Sequence, residues 1–156
     1  MTRECDLFWD MRKGIPFPDS SVDMIYSSHF LEHLTYDQSQ DFLKESLRVL
    51  KIGGVFSISV PNARVYIEAY LHGELPENPY FGHSPAYNRT SKIDYINYIA
   101  YMGDEHRYMF DQENLLAVLK KAGFSEPRAR GFQEGLDSSA RDYGSIYAEA
   151  VKTQTN

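Results

Sequence analysis

The sequence predicts an α/β fold with a mostly parallel sheet and an antiparallel last strand. Three observations carry that prediction. Short apolar runs alternate with segments of helical period, the order that builds parallel sheets. The helical segments have legible ends, a capping acid at the start and a glycine at the finish. Of 156 residues, 42% are hydrophobic and 24% charged, which suits one domain with one core and excludes a globally disordered chain.

The elements follow in order. Leu7 to Trp9 is a short apolar run suited to a strand. Met11 to Ser21 contains Gly14, Pro16, Pro18 and Asp19 and reads as a loop. Val22 to Ser28 is a mostly apolar strand of buried type. A helix follows, with Asp37 as its cap and Gln40 as the reciprocal partner. Leu43, Leu47 and Leu50 recur along it at helical spacing, and Gly53 ends it. Val55 to Val60 is the next strand, stopped by Pro61 and Asn62. A second helical region covers Ala63 to Leu71 and ends at Gly73. Pro76, Pro79, Gly82 and Pro85 then mark a long irregular stretch. Ser91 and Asp94 have capping-box spacing before Ile96 and Ile99, which predicts a short helix. Asp111 caps a further helix with Leu115, Leu116, Leu119 and Ala122 on its apolar face and Gly123 at its end. Arg128 to Phe132 and Ser145 to Val151 read as two closing strands.

Composition excludes several functions. The net charge is −6, and an acidic surface repels phosphate, so no nucleic-acid partner is expected. No apolar run is long enough for a membrane span, and Met1 to Asp10 has no apolar signal core. The single Cys5 can form neither an intrachain disulfide nor a multi-thiolate metal site, so a reducing, cytoplasmic setting is the expectation. In parallel sheets ligands bind outside the carboxyl ends of the strands. Here those ends are Asp10 to Arg12, Ser27 to His29, and Pro61 to Asn62.

His29, Glu32 and His33 spell H-x-x-E-H, the signature of inverted zinc hydrolases. On a helix the two histidines would share a face, with the glutamate as general base. A third ligand would have to come from His72, His83, His106 or a carboxylate. The preferred reading is a packed or substrate-facing histidine pair, and no metal is expected.

The motifs in sequence resemble a known family. The run from Asp10 to Asp23 looks like the loop before the fourth strand of class I S-adenosylmethionine-dependent methyltransferases, of the methyltransferase type 11 kind. Ile25 to Leu34 (IYSSHFLEHL) looks like that strand and the turn after it. Leu47 to Val55 (LRVLKIGGV), then Ser59 to Asn62 (SVPN), resemble the next helix and the fifth strand. His106 to Asp111 and Leu119 to Phe124 are similar to the family's last helix, and Ile146 to Ala150 to its final antiparallel strand. The resemblance implies a Rossmann-like methyltransferase sheet. No Gly-x-Gly occurs anywhere, so the first two strands and the glycine-rich cofactor loop of the family are expected to be missing, as in an N-terminally truncated member.

The resemblance also implies roles. An acid at Asp10, with Met11 beside it, would meet the adenine of S-adenosylmethionine. Ser27, Ser28 and His29 would line the methionine end of that cofactor and face the acceptor. Pro61 and Asn62 would border the acceptor pocket, and residues 63–110, with Tyr66 and Tyr108, would form a lid-like insert over it. A structural or interface role for that insert's tyrosines is the preferred reading. A hydroxyl or ammonium acceptor needs a base, and His29 and His33 are the well-placed candidates. The acceptor, of small-molecule or glycan type, is not legible. This chain alone is expected to bind the cofactor weakly or not at all, and its autonomous activity is left open. The alternatives are a non-catalytic binding or oligomerisation module on the same fold and, last, a zinc hydrolase. A homodimer is expected, because Val22 to Ser28 would form an unpaired apolar edge.

Overall fold

The first long helix takes its cap two residues before the expected Asp37. In the computed structural model, which describes residues 7–72 and 90–154, α1 spans Tyr36–Val49. Thr35 has the extended backbone an N-cap requires, and its hydroxyl accepts from the Gln38 N–H. The Gln38 side chain accepts in return from the Thr35 N–H. Asp37 already lies inside the first turn, so the Asp37–Gln40 pair does not form the box.

The helix also ends sooner than expected. Leu50 opens β2 (Leu50–Pro61), a strand longer than the predicted Val55 to Val60. Gly53 does take a left-handed φ of 81°, but inside the strand. Its neighbour β1 (Val22–Ser28) pairs Val22 with Leu50 and then Met24 with Val55, so the residues between bulge out of the ladder. A Cβ on Gly54 would stand 2.8 Å from the Lys51 carbonyl oxygen. The glycine pair therefore makes a bulge rather than a helix cap.

Phe56, Ile58 and Val60 alternate toward one face of the sheet, where they meet Phe42 and Leu43 of α1. Leu115 and Leu119 of α4 (Gln112–Ala122), with Phe124, complete this core. Helix α4 forms as its ends predict. Asp111 accepts from the Asn114 N–H at 2.7 Å, and Gly123 at φ 108° returns its N–H to the Leu119 and Lys120 carbonyls.

The sheet order is β1-β2-β4-β3, with β3 at Ser125–Ala129 and β4 at Ser145–Val151. Strands β1 and β2 are parallel. Strand β4 runs against both β2 and β3, so it alone opposes the common direction. The expected mostly parallel sheet with an antiparallel last strand is what forms. Strand β3 lies three residues earlier than Arg128 to Phe132; beyond it the Arg130 N–H still donates to the Tyr147 carbonyl, and its side chain pairs with Asp137.

Two expectations for the amino-terminal part do not hold. Leu7 to Trp9 forms no strand, and Phe8 is 98% exposed, since no neighbouring strand offers this run a ladder. Strand β1 is not of buried type. Only Ser27 in it is buried, because no described strand pairs its outer edge.

Helices α2 (Ala63–His72) and α3 (Ile93–Tyr101) pack on each other through a small cluster of Ala63, Tyr66, Tyr98 and Ile99. The Asp94 carboxylate holds the entry to α3 by accepting from the Thr90 and Ser91 N–H groups. Gly73 and the irregular stretch through His83 and Pro85 lie outside the described residues.

Candidate functional site

The carboxyl ends of β1 and β2 lie side by side. The His29 N–H donates to the Ser59 carbonyl at 2.9 Å, one step beyond the last ladder pair. His29 then takes a positive φ of 48°, unusual for a side-chain-bearing residue, and the chain turns sharply away from the sheet. Leu31–His33 form one 3-10 turn. The Glu32 carbonyl accepts from both the Arg107 and Tyr108 N–H groups, which fastens this turn to the segment before α4. His106 is thereby carried against His33, with ring centroids 5.2 Å apart.

A cleft of about 430 Å³ opens over these residues. His29, Glu32, His33 and His106 lie at one end, with Pro61, Tyr66 and Tyr98 along the side. Arg141 and Tyr143 reach it from the turn Ser139–Gly144 that precedes β4. Glu32 is 2% exposed, and burial pushes its carboxyl well above the usual carboxylate range. Burial, with the Arg141 charge behind it, holds the His29 imidazole down at about 4. His106 is lowered too, chiefly by burial.

Hydrogen bonds define which ring nitrogens carry protons. His33 Nδ1 lies 3.0 Å from the Glu105 carbonyl and His106 Nδ1 2.8 Å from the Ile99 carbonyl. Carbonyls only accept, so both Nδ1 atoms donate. Ser145 spends its hydroxyl proton on the Arg141 carbonyl and accepts from His29 Nε2 at 2.8 Å. The other ring nitrogens of His29 and His33 stand 3.6 Å and 3.8 Å from the same Glu32 oxygen.

A second recess, of about 360 Å³, runs along β1 on the far side of this turn. Met11, Ile25, Ser27, Ser28 and Phe30 line it, and the buried Ser27 hydroxyl has no partner there. Asp10 caps the short 3-10 turn at Met11–Lys13 and pairs with Arg12.

The expected site residues thus divide. His29, His33, Pro61 and Tyr66 share the cleft, while Met11, Ser27 and Ser28 share the groove. Asn62 and Tyr108 line neither. Asn62 bridges to Phe110 and accepts from the Arg64 N–H, and Tyr108 packs on Tyr36 and Phe110. Tyr98, Arg141 and Tyr143 were not among the expected residues. They come from segments remote in sequence, and no local pattern around them signals a site.

Comparison with known proteins agrees with this architecture. The family described as a methyltransferase domain matches residues 9–58. A probable S-adenosylmethionine-dependent methyltransferase of Mycolicibacterium smegmatis is 33% identical over 125 residues, 78% of this chain and 42% of that protein. One of Mycobacterium tuberculosis is 35% identical over 135 residues, 85% of this chain and 38% of that protein. The chain spans about two-fifths of the length of these relatives. A solved S-adenosylmethionine-dependent methyltransferase of Aquifex aeolicus superposes with a TM-score of 0.56 at 15% identity, over 95% of this chain and 55% of that one, a likeness of fold.

Proposed function

The chain belongs to the class I S-adenosylmethionine-dependent methyltransferase family, and from that premise we propose that its cleft takes a methyl acceptor and its β1 groove takes part of the cofactor, S-adenosylmethionine. One observation carries this reading: two recesses flank the carboxyl end of β1, Ser27 and Ser28 lining one and His29 the other. The unpartnered Ser27 hydroxyl gives the otherwise apolar groove a polar contact for a ligand. When bound, the cofactor would supply a sulfonium-activated methyl group to the acceptor's lone pair, and Ser27 and Ser28 of the β1 groove would help to hold it. The chain's own part is to hold the acceptor in line, exclude water and take up the acceptor's proton. His33 is placed for that last step, because it lines the cleft with Nδ1 held by the Glu105 carbonyl. His29 is held by Ser145 and orients the turn.

Titration of the isotopically labelled chain with S-adenosylhomocysteine, followed by NMR, tests the cofactor half. Weak binding in fast exchange should move the amide signals of Met11, Ser27, Ser28 and His29 first. Unmoved signals at millimolar ligand would end this assignment.

The outer edge of β1, which no strand pairs among the described residues, also supports a homodimer through strand pairing across a two-fold axis. Light scattering at micromolar concentration should report twice the 18.0 kDa chain mass. A monodisperse species of single mass would exclude it.

A further inference from the structure

We propose that Glu32, His33 and His106, with His29 against the same carboxylate, form a binding site for a first-row divalent cation of the zinc or manganese kind, opening into the cleft. The first three residues each offer one ligand atom, and these atoms lie within 4.8 Å of one another. The H-x-x-E-H spacing suggested two histidines and an acid, but not on a helix face as that motif requires. Here the tertiary fold supplies the missing third nitrogen from His106.

The hydrogen-bond geometry around the cluster is what points to a cation. Each of the three imidazoles donates its outer N–H to a fixed acceptor: Ser145 for His29, the Glu105 carbonyl for His33, the Ile99 carbonyl for His106. This is the outer-sphere arrangement that fixes the tautomer of a metal-binding histidine. The inner nitrogens of His29 and His33 lie 3.6 Å and 3.8 Å from one Glu32 oxygen. The second oxygen of that side chain is buried with no hydrogen-bond partner, a costly state for a polar group. A cation among them would take these atoms as ligands and give the buried carboxylate a partner.

The dimensions suit it. Ligand bonds of about 2.0–2.1 Å in a tetrahedral site set ligand-to-ligand edges of about 3.3 Å. The 3.8 Å between His33 and Glu32 needs only a small contraction, and the remaining separations, all within 4.8 Å, need a larger one. Imidazole nitrogen with one carboxylate selects zinc, manganese or iron over magnesium or calcium. His33 is half-buried and reaches the cleft, so a cation here would keep a position open to an oxygen of a bound molecule. A cation-bound hydroxyl loses its proton more easily, and that would replace proton uptake by His33. The proposal rests on the cleft and not on methyl transfer, so either can fail without the other.

Calorimetric titration of the chelator-treated chain with zinc chloride, and separately with manganese chloride, is the test. One equivalent of at least one metal should bind. Glu32→Gln and His106→Ala should each weaken binding by at least about 100-fold, beyond the usual effect of an outer-sphere change. His72→Ala, at the exposed end of α2, should change nothing. Manganese should also broaden the ring signals of His29, His33 and His106 in the unsubstituted chain, a measurement that needs no variant to fold. Absence of saturable binding for both metals overturns the proposal, in which case a proton shared within the cluster satisfies Glu32. Binding that survives both substitutions equally overturns it as well, because the metal then sits elsewhere.

Discussion

Asp137→Ala will lower the stability of the chain by about 3–5 kcal/mol, the effect of leaving one member of a buried ion pair alone. The side chains of Arg130 and Asp137 are 5% and 1% exposed. Asp137 accepts from Arg130 Nη2 at 2.8 Å, from the Gln133 N–H at 2.7 Å and from the Tyr26 hydroxyl at 2.9 Å. Arg130 in turn donates to the Ser57 hydroxyl and lies over the Tyr147 ring. Residues from β1, β2, β4 and the loop after β3 therefore meet at one ion pair, on the face of the sheet opposite α1 and α4. Without that carboxylate a guanidinium stays buried and two donors lose their acceptor. The double substitution Arg130→Met with Asp137→Leu should recover much of the loss, because it removes the desolvated charges together. Acid should erode the same contribution. Burial alone would raise the Asp137 pKa, but the hydrogen bonds from Arg130, Gln133 and Tyr26 outweigh it and hold the pKa below 3.8. A depressed folded pKa gives stability that is present at neutral pH and lost as pH falls through that lower value. Urea melts at neutral and acid pH measure both effects. A neutral-pH loss under about 1 kcal/mol, the scale of an exposed pair, would show that the pair is effectively solvated.

Phe56→Ala is expected to cost about 3–5 kcal/mol through the cavity it leaves. Phe56 is fully buried in the middle of β2, with ring centroids 5.0 Å from Phe124 and 6.3 Å from Phe42. It thus joins α1 and the end of α4 to the sheet at one point. A domain of this size has about 5–15 kcal/mol in total, so the variant should melt far below the parent chain. Phe56→Leu should lose less, since it leaves a smaller void. Equal melting temperatures for the parent and Phe56→Ala would mean that the core refills the space, contrary to the close packing described here.

The amino-acid sequence by itself determined the alternation of strands and helices, because apolar period and capping chemistry act over a few neighbouring residues. Asp111 and Gly123 bound α4 as their positions predict, and β4 occupies the residues its apolar run marks. The same local logic misplaced the ends of α1. Thr35 and Asp37 can both cap, and only the path of the chain past Leu34 chose between them. It also made a strand of Leu7 to Trp9, since an apolar run does not state whether a partner strand exists.

The site divides in the same way. His29, Glu32 and His33 were legible as a motif, because they sit in one turn. What they do there is a tertiary matter. The paired N–H groups of Arg107 and Tyr108 on the Glu32 carbonyl bring His106 across 73 residues of sequence to His33. Arg141 and Tyr143 arrive through the turn before β4, and Asn62 and Tyr108 are drawn away into packing. A spacing rule carries the order of elements but not the closure of long loops. Closure is decided by which buried polar groups find partners when the sheet and helices meet, and here that left one oxygen of Glu32 without any.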